Sequence, residues 1–134
     1  MPHRILVSQQ LAKLFSTLSH PARIRIVTEL RSGDELCVNS LQERLGIPHC
    51  AVSQHLALLR THNLIKERRR GRHVFYRLTS VPLSAWLVDG IQFIVPDQAD
   101  SDLLKYAIER TVAKWSHTSE SDDSTSRKKL KARA

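Results

Sequence analysis

Residues 39–79 read NSLQERLGIPHCAVSQHLALLRTHNLIKERRRGRHVFYRLT, and this stretch decides the fold. Its first part predicts a helix of about two turns that Asn39 or Ser40 caps and Gly46 ends. Pro48 then opens a second helix, because its fixed φ suits the first turn. Apolar residues recur at helical spacing: Leu41 and Leu45 on the first helix, and Val52, Leu56 and Leu59 on the second. A short helix, a glycine turn and a longer helix predict a helix-turn-helix.

The second part of the stretch changes from the period of a helix to that of a strand. Residues 64–70 and 73–79 flank Gly71, and the pattern predicts a β-hairpin with this glycine in its turn. The alternating apolar residues that would share one face are Val74, Tyr76 and Leu78. Five of the seven residues 66–72 are Lys or Arg, so the tip of the hairpin is basic.

Helical stripes also lie on both sides of this stretch. The predicted elements are a helix over 7–18, a helix from Pro21 to Gly33, a connector over 34–38, and helices over 83–94 and 104–115. Together they predict a mainly α fold with a small β-hairpin (α+β), a winged helix-turn-helix. We expect one DNA-binding and dimerisation domain over 1–116, followed by a disordered charged tail over 117–134.

The helices after the hairpin carry more apolar surface than one face requires. Trp86, Phe93 and Val95 fall outside the stripe of the first of them. A monomer would leave part of this surface in water, and a second copy of the chain is the simplest cover. The sequence therefore predicts a homodimer.

Composition indicates the partner and the compartment. The formal charge is +8, from 21 basic and 13 acidic residues, and such a surplus attracts polyanions because phosphate neutralisation releases counterions. No apolar run is long enough to cross a bilayer, and the start lacks the pattern of a signal peptide. Two cysteines are too few for a secreted disulfide framework. We expect a cytoplasmic protein with no membrane association.

Enzymatic function finds no support in the sequence. We see no phosphate-binding glycine loop, no paired carboxylates in an apolar setting and no nucleophile motif, and the seven histidines are scattered. The chain is therefore not expected to be an enzyme or to need a cofactor. An RNA-binding or protein-binding winged helix remains an alternative class, since basic charge alone does not choose between partners.

The predicted second helix presents a small, polar side opposite its apolar stripe. Side chains of this kind can enter a major groove, where Gln pairs bidentately with adenine. The hairpin would hold arginines beside that helix, where they can meet phosphates or a minor groove. The predicted DNA-binding residues are His49, Cys50, Ser53, Gln54, Arg68, Arg70 and Arg72.

Four ordered motifs between residues 7 and 78 resemble the signatures of ArsR/SmtB-type repressors. They are Leu18-Ser19-His20-Pro21-Ala22-Arg23, Glu35-Leu36-Cys37-Val38, Val52-Ser53-Gln54-His55-Leu56 and Arg69-Arg70-Gly71-Arg72. The resemblance implies a winged-helix homodimer that represses a double-stranded DNA operator and leaves it when a metal or another signal arrives. It places dimer contacts on residues 7–18 and 82–94, and DNA contacts on His49, Cys50, Ser53, Gln54, Arg70 and Arg72. His55 points toward the buried side of its helix, and we interpret it as structural.

The signal that would release the operator stays open at this point. Thiolate sensors of the family resemble Glu-Leu-Cys-Val-Cys, whereas Asn39 stands here in place of the second cysteine, and residues 81–95 hold Asp89 but no histidine. We therefore expect no resident metal site, with thiol-dependent metal sensing through Cys37 as an alternative. Cys37 and Cys50 could instead form a redox pair, or act only as small apolar residues.

Overall fold

The computed structural model describes residues 2–94 and 102–115, and the chain divides into two compact units, 1–84 and 85–134. The helices are α1 (Pro2–Leu18), α2 (Pro21–Glu29), α3 (Val38–Leu45), α4 (His49–Thr61) and α5 (Pro82–Gly90). The strands are β1 (Leu36–Cys37), β2 (Ile65–Arg70) and β3 (His73–Leu78). A 3₁₀ turn, Ile91–Phe93, follows α5, and residues 102–115 form a further helix, α6.

Several predicted element boundaries were wrong. The first helix begins at Pro2 rather than at residue 7, because its proline is compatible with a first helical turn. α2 ends at Glu29, and the chain then turns until Gly33, whose φ of 76° stops any helix. The helix predicted over 83–94 ends at Gly90 and tightens into the 3₁₀ turn. Val95 and the expected tail over 117–134 lie outside the described residues.

The core of the first unit forms where α2, α3, α4 and the sheet meet. Its largest fully buried apolar side chains are Ile26, Leu30, Leu41, Leu56, Leu59 and Ile65. They come from the apolar stripes of the helices and from the inward face of the hairpin. Burying one such side chain stabilises the fold by roughly 1.5–3 kcal/mol. The core therefore fixes α4 from its inner side and leaves its outer side free.

Two sets of hydrogen bonds hold the turn between α3 and α4 at the end of α3. Gly46 caps α3 with a φ of 68°, and its N–H donates to the Gln42 carbonyl at 2.8 Å. The Arg25 guanidinium on α2 donates to the carbonyl oxygens of Leu45 and Arg44 at 3.1 and 3.0 Å. These bonds satisfy carbonyls that the end of a helix leaves without partners. The end of α3 and the residue at which the turn begins are thereby held in place.

The hairpin is part of a three-stranded antiparallel sheet with the order β1-β3-β2. In one row across the sheet, Cys37 stands opposite Phe75, and Phe75 stands opposite Arg68. The connector predicted over 34–38 therefore contains a strand. The cap predicted at Asn39 or Ser40 was wrong for the same reason: pairing with β3 keeps Cys37 extended, and α3 starts directly after it at Val38.

α1 leaves most of its apolar surface in water. Only its last two residues, Thr17 and Leu18, are buried. Its exposed large apolar side chains are Ile5, Leu6, Val7, Leu11 and Phe15. In the second unit, Trp86, Phe93, Leu103 and Tyr106 are exposed as well. None of the described helices is long and apolar enough to cross a bilayer.

Candidate nucleic-acid interface

The polar face of α4 lies opposite its buried stripe of Val52, Leu56 and Leu59. His49, Cys50 and Gln54 are exposed on it, and Ser53 is half-buried. Positions i, i+1, i+4 and i+5 fall on one side of a helix, so the four predicted reading side chains share a surface. Each can donate or accept a hydrogen bond, although the Cys50 thiol does so weakly.

The hairpin presents cations beside this helix, since β2 packs against α4. Arg68 and Arg70 stand two residues apart on β2 and therefore on the same face of the sheet. Arg72 lies in the turn beside Gly71, where a φ of 61° lets the hairpin reverse tightly. All three side chains are exposed. The structure thus brings the predicted wing residues together at one end of the hairpin.

Two arginines, one on the hairpin and one on α4, already have carboxylate partners. Arg68 Nη2 lies 2.7 Å from Glu35 Oε2, and Arg60 Nη1 lies 2.8 Å from Glu67 Oε1. Arg70 and Arg72 form no ion pair with any residue in 2–94 or 102–115. Sequence reasoning missed the partner of Arg68, because Glu35 is 33 residues away and precedes a strand that was not predicted.

His55 joins α4 to the junction of α1 and α2. Arg23 Nη1 lies 3.3 Å from His55 Nδ1, and the His20 and His55 ring centroids are 4.3 Å apart. Burial lowers the pKa of His55 below its usual value, and the nearby His20 and Arg23 lower it further. The structural interpretation of His55 agrees with these contacts. Its two partners could not be read from the helical pattern.

Both cysteines are free thiols, but their surroundings differ. Cys50 is exposed on α4, whereas Cys37 is half-buried before α3, with its Sγ 3.3 Å from Ser40 Oγ. Hydrogen bonds from the Ser40 side chain and backbone lower the pKa of the Cys37 thiol, against the opposing effect of burial. Within 2–94 and 102–115, no three His, Cys, Asp or Glu side chains form a group that could hold a metal ion.

Comparison with known proteins places this arrangement in a family. A family model described as a helix-turn-helix domain matches residues 18–68. The transcriptional repressor SmtB homolog of Synechocystis sp. is 42% identical over 71 residues, 53% of either chain. The biofilm growth-associated repressor of Xylella fastidiosa is 37% identical over 87 residues, which are 65% of this chain and 75% of the relative. The chain belongs to the ArsR/SmtB family.

A solved structure supports the fold of this ArsR/SmtB protein. The transcriptional repressor BigR from Xylella fastidiosa superposes with a TM-score of 0.62 at 29% identity, covering 72% of this chain and 97% of that one. The predicted winged helix-turn-helix fold is therefore confirmed. The prediction that the chain is a DNA-binding transcriptional repressor, and not an enzyme, is confirmed as well. This ArsR/SmtB chain spans about half the length of the Synechocystis relative.

Proposed function

We propose that this repressor reads a duplex operator with the polar face of α4 and holds the phosphate backbone with the β2–β3 hairpin. The observation that carries the proposal is the exposed side of α4 that includes Gln54. α4 packs against the hairpin, whose Arg70 and Arg72 form no ion pair within 2–94 and 102–115. Side chains on the helix would select bases, and the arginines would set the register. His49, Cys50 and Ser53 complete the reading surface.

Arg68 enters this proposal in a different way from the other wing arginines. Its guanidinium is held by Glu35, so a phosphate contact requires exchange of one anion for another. An exposed ion pair of this kind is worth only about 0–1 kcal/mol, so the exchange is accessible. We place Arg68 at the edge of the contact and Arg70 and Arg72 at its centre.

Homodimerisation is part of the proposal, and the exposed apolar side of α1 supports it. A symmetric pair would present two copies of α4, and the two half-sites would lie about one helical turn, roughly 34–36 Å, apart. The exposed Trp86 and Phe93 side chains at and after α5 are the second surface that a partner subunit would cover.

Two substitutions test how the DNA is read. A duplex selected from a random pool by the full chain serves as the probe, beside a scrambled duplex of equal length. Gln54→Ala should weaken binding to the selected duplex alone, by about 1–3 kcal/mol, because it removes a base contact. Arg72→Ala should weaken binding to both duplexes and reduce the salt slope by about one.

The matched control is Gln9→Ala on α1, which should change neither affinity. Equal losses on both duplexes for Gln54→Ala would contradict the reading role of α4. Preference for RNA of equal length over duplex DNA would favour the RNA-binding alternative instead. The affinity of the parent chain for the selected duplex should exceed its affinity for the scrambled duplex by at least roughly 10³-fold.

For the releasing signal, Cys37 is the stronger candidate of the two thiols. Its lowered pKa increases the thiolate fraction at neutral pH, and peroxide oxidises a thiolate to a sulfenic acid. Strand pairing connects Cys37 to Phe75 on the hairpin, which gives the thiol a structural route to the wing. Redox pairing with Cys50 and thiol-dependent metal binding at Cys37 are the alternatives.

Operator binding with and without peroxide, in the parent chain and in Cys37→Ser and Cys50→Ser variants, separates these possibilities. Loss of release in Cys37→Ser alone favours a single sensing thiol, and loss in both variants favours the pair. Release by a thiophilic metal without oxidant favours metal sensing. Peroxide that leaves the affinity of the parent chain unchanged would end the redox proposal.

A further inference from the structure

One polar cluster in the first unit takes no part in reading DNA, yet it is attached to the reading helix. It consists of His20, Arg23 and His55. Arg23 Nε donates to the Thr17 carbonyl in the last turn of α1, while Nη1 of the same guanidinium reaches His55 on α4. One side chain thus connects the end of α1, the start of α2 and the middle of α4.

The hydrogen bonds of this cluster fix its protonation state. A guanidinium has no acceptor, so Arg23 can only donate, and His55 Nδ1 must offer a lone pair. The Ala22 N–H donates to His20 Nδ1 at 3.0 Å, which caps α2 and requires a lone pair there too. An imidazolium carries a proton on both nitrogens. The observed contacts therefore need both rings neutral.

The position of the cluster makes its state matter for DNA. His55 directly follows Gln54, a residue of the proposed reading face, and it precedes Leu56 in the core. A shift of α4 that separates His55 from Arg23 would therefore also displace Gln54. Because base contacts need hydrogen-bond geometry, a displacement of an ångström reduces sequence-specific binding more than phosphate binding.

We propose that His20, Arg23 and His55 form a proton-sensitive latch that holds α4 in its DNA-reading position while both rings are neutral and loosens it in acid. Protonation of His55 would replace its hydrogen bond with Arg23 by repulsion between two cations. Protonation of His20 would remove the side-chain cap of α2. It would also place a third positive charge next to His55, since the two ring centroids are 4.3 Å apart. The latch rests on the proposed reading role of α4.

The direction of the pH effect follows from the groups that face His55. From α2 and its cap these are Arg23 and His20, and burial together with both of them lowers the pKa of His55. α4 also packs on α3 and β2. There Arg44 on α3 is paired with Glu29, and Glu67 on β2 is paired with Arg60. Neither ion pair involves a member of the latch. If α4 moved so that His55 left these groups, the His55 ring would bind a proton more tightly. Acid below about pH 6.5 therefore favours the displaced position of α4.

The test measures affinity of the full chain for the selected and scrambled duplexes near pH 7.5 and pH 5.5. Acid adds charge to exposed histidines and strengthens binding to any duplex, so the readout is the ratio of the two affinities. We expect this ratio to fall about three- to tenfold in acid, since each unit of pKa difference between two states is worth up to tenfold.

Three variants decide the cause. His55→Asn keeps an acceptor near the position of Nδ1, has similar helix propensity and does not titrate, so its ratio should stay level with pH. His20→Ser keeps a cap without a titrating ring and should remove part of the fall. His62→Asn, at the exposed end of α4, is the matched control and should behave as the parent chain does. Circular dichroism at both pH values shows that each variant is folded.

A ratio that stays constant in the parent chain, or that falls equally in His55→Asn, overturns the latch and leaves the proposed function intact. A parent chain with no preference for the selected duplex near pH 7.5 overturns both. If His55→Asn does not fold, His20→Ser and the pH titration of the His55 ring by NMR decide. A His55 ring whose measured pKa is at or above the ordinary histidine value of about 6.5 would also overturn the latch.

Discussion

At the scale of single residues, two glycines determine how the candidate interface is presented. Gly46 turns the chain from α3 into α4, and Gly71 reverses it at the tip of the hairpin. Both have positive φ, and a Cβ at either would meet no atom within 4 Å. The requirement for glycine is therefore one of backbone conformation and not of space.

Replacing Gly71 by alanine should lower the free energy of unfolding by about 1–2 kcal/mol, because alanine in the left-handed region is strained. Gly71→Asn should cost less, since asparagine tolerates this region. Urea denaturation measures the change. Gly90→Ala is the control, because Gly90 has ordinary φ and open space around it, and it should be neutral or slightly stabilising. Equal midpoints for Gly71→Ala and Gly90→Ala would contradict this account.

At the scale of elements, local patterns were sufficient wherever a helix or a turn depends on neighbouring residues. Gly46 and Pro48 marked the helix-turn-helix, and Gly71 marked the hairpin. β1 was missed because two residues are too short to show a period, and its pairing with β3 joins distant parts of the chain. The same distance hid the bond from Arg68 to Glu35 and the cluster around His55. The site residues could be nominated from the sequence, but their partners could not.

Glu35 precedes β1 and forms an ion pair with Arg68 on the hairpin, so we expect its charge to weaken phosphate binding by Arg68. Glu35→Gln should increase affinity for every duplex and steepen the salt slope by about one, because it frees Arg68 for a phosphate and removes a negative charge. Stability should change little, since exposed ion pairs contribute about 0–1 kcal/mol.

The matched control for this effect is Glu29→Gln, which breaks the ion pair with Arg44 between α2 and α3. It removes the same charge at a different place, so any effect common to both variants reflects net charge alone. Salt titrations of binding to the scrambled duplex provide the measurement. An affinity gain for Glu29→Gln as large as that for Glu35→Gln would show that Arg68 does not take up a phosphate contact.

At the scale of the whole molecule, the distribution of apolar surface supports a symmetric pair of subunits. The core of the first unit includes Leu18 but leaves the side chains of Val7, Leu11 and Phe15 exposed by about half, at 58%, 46% and 54%. Covering apolar surface stabilises by roughly 25 cal/mol per Å², so a helix of this length gains considerably from a partner. The charge of +8 would keep further copies apart and attract DNA.

Placing a carboxylate in the apolar side of α1 should therefore separate the subunits. Leu11→Glu keeps good helix propensity but would bury a charge at the proposed interface, so we expect a monomer in sedimentation velocity at micromolar concentration. Gln9→Glu adds the same charge at an exposed polar position of the same helix and should remain dimeric. The monomer should lose preference for a duplex with two half-sites over one with a single half-site, because linked binding multiplies the affinity only when both copies of α4 are joined. A Leu11→Glu protein that stays dimeric would place the subunit interface elsewhere on the molecule. A monomer that still prefers two half-sites would show that two copies of the chain come together only on the DNA.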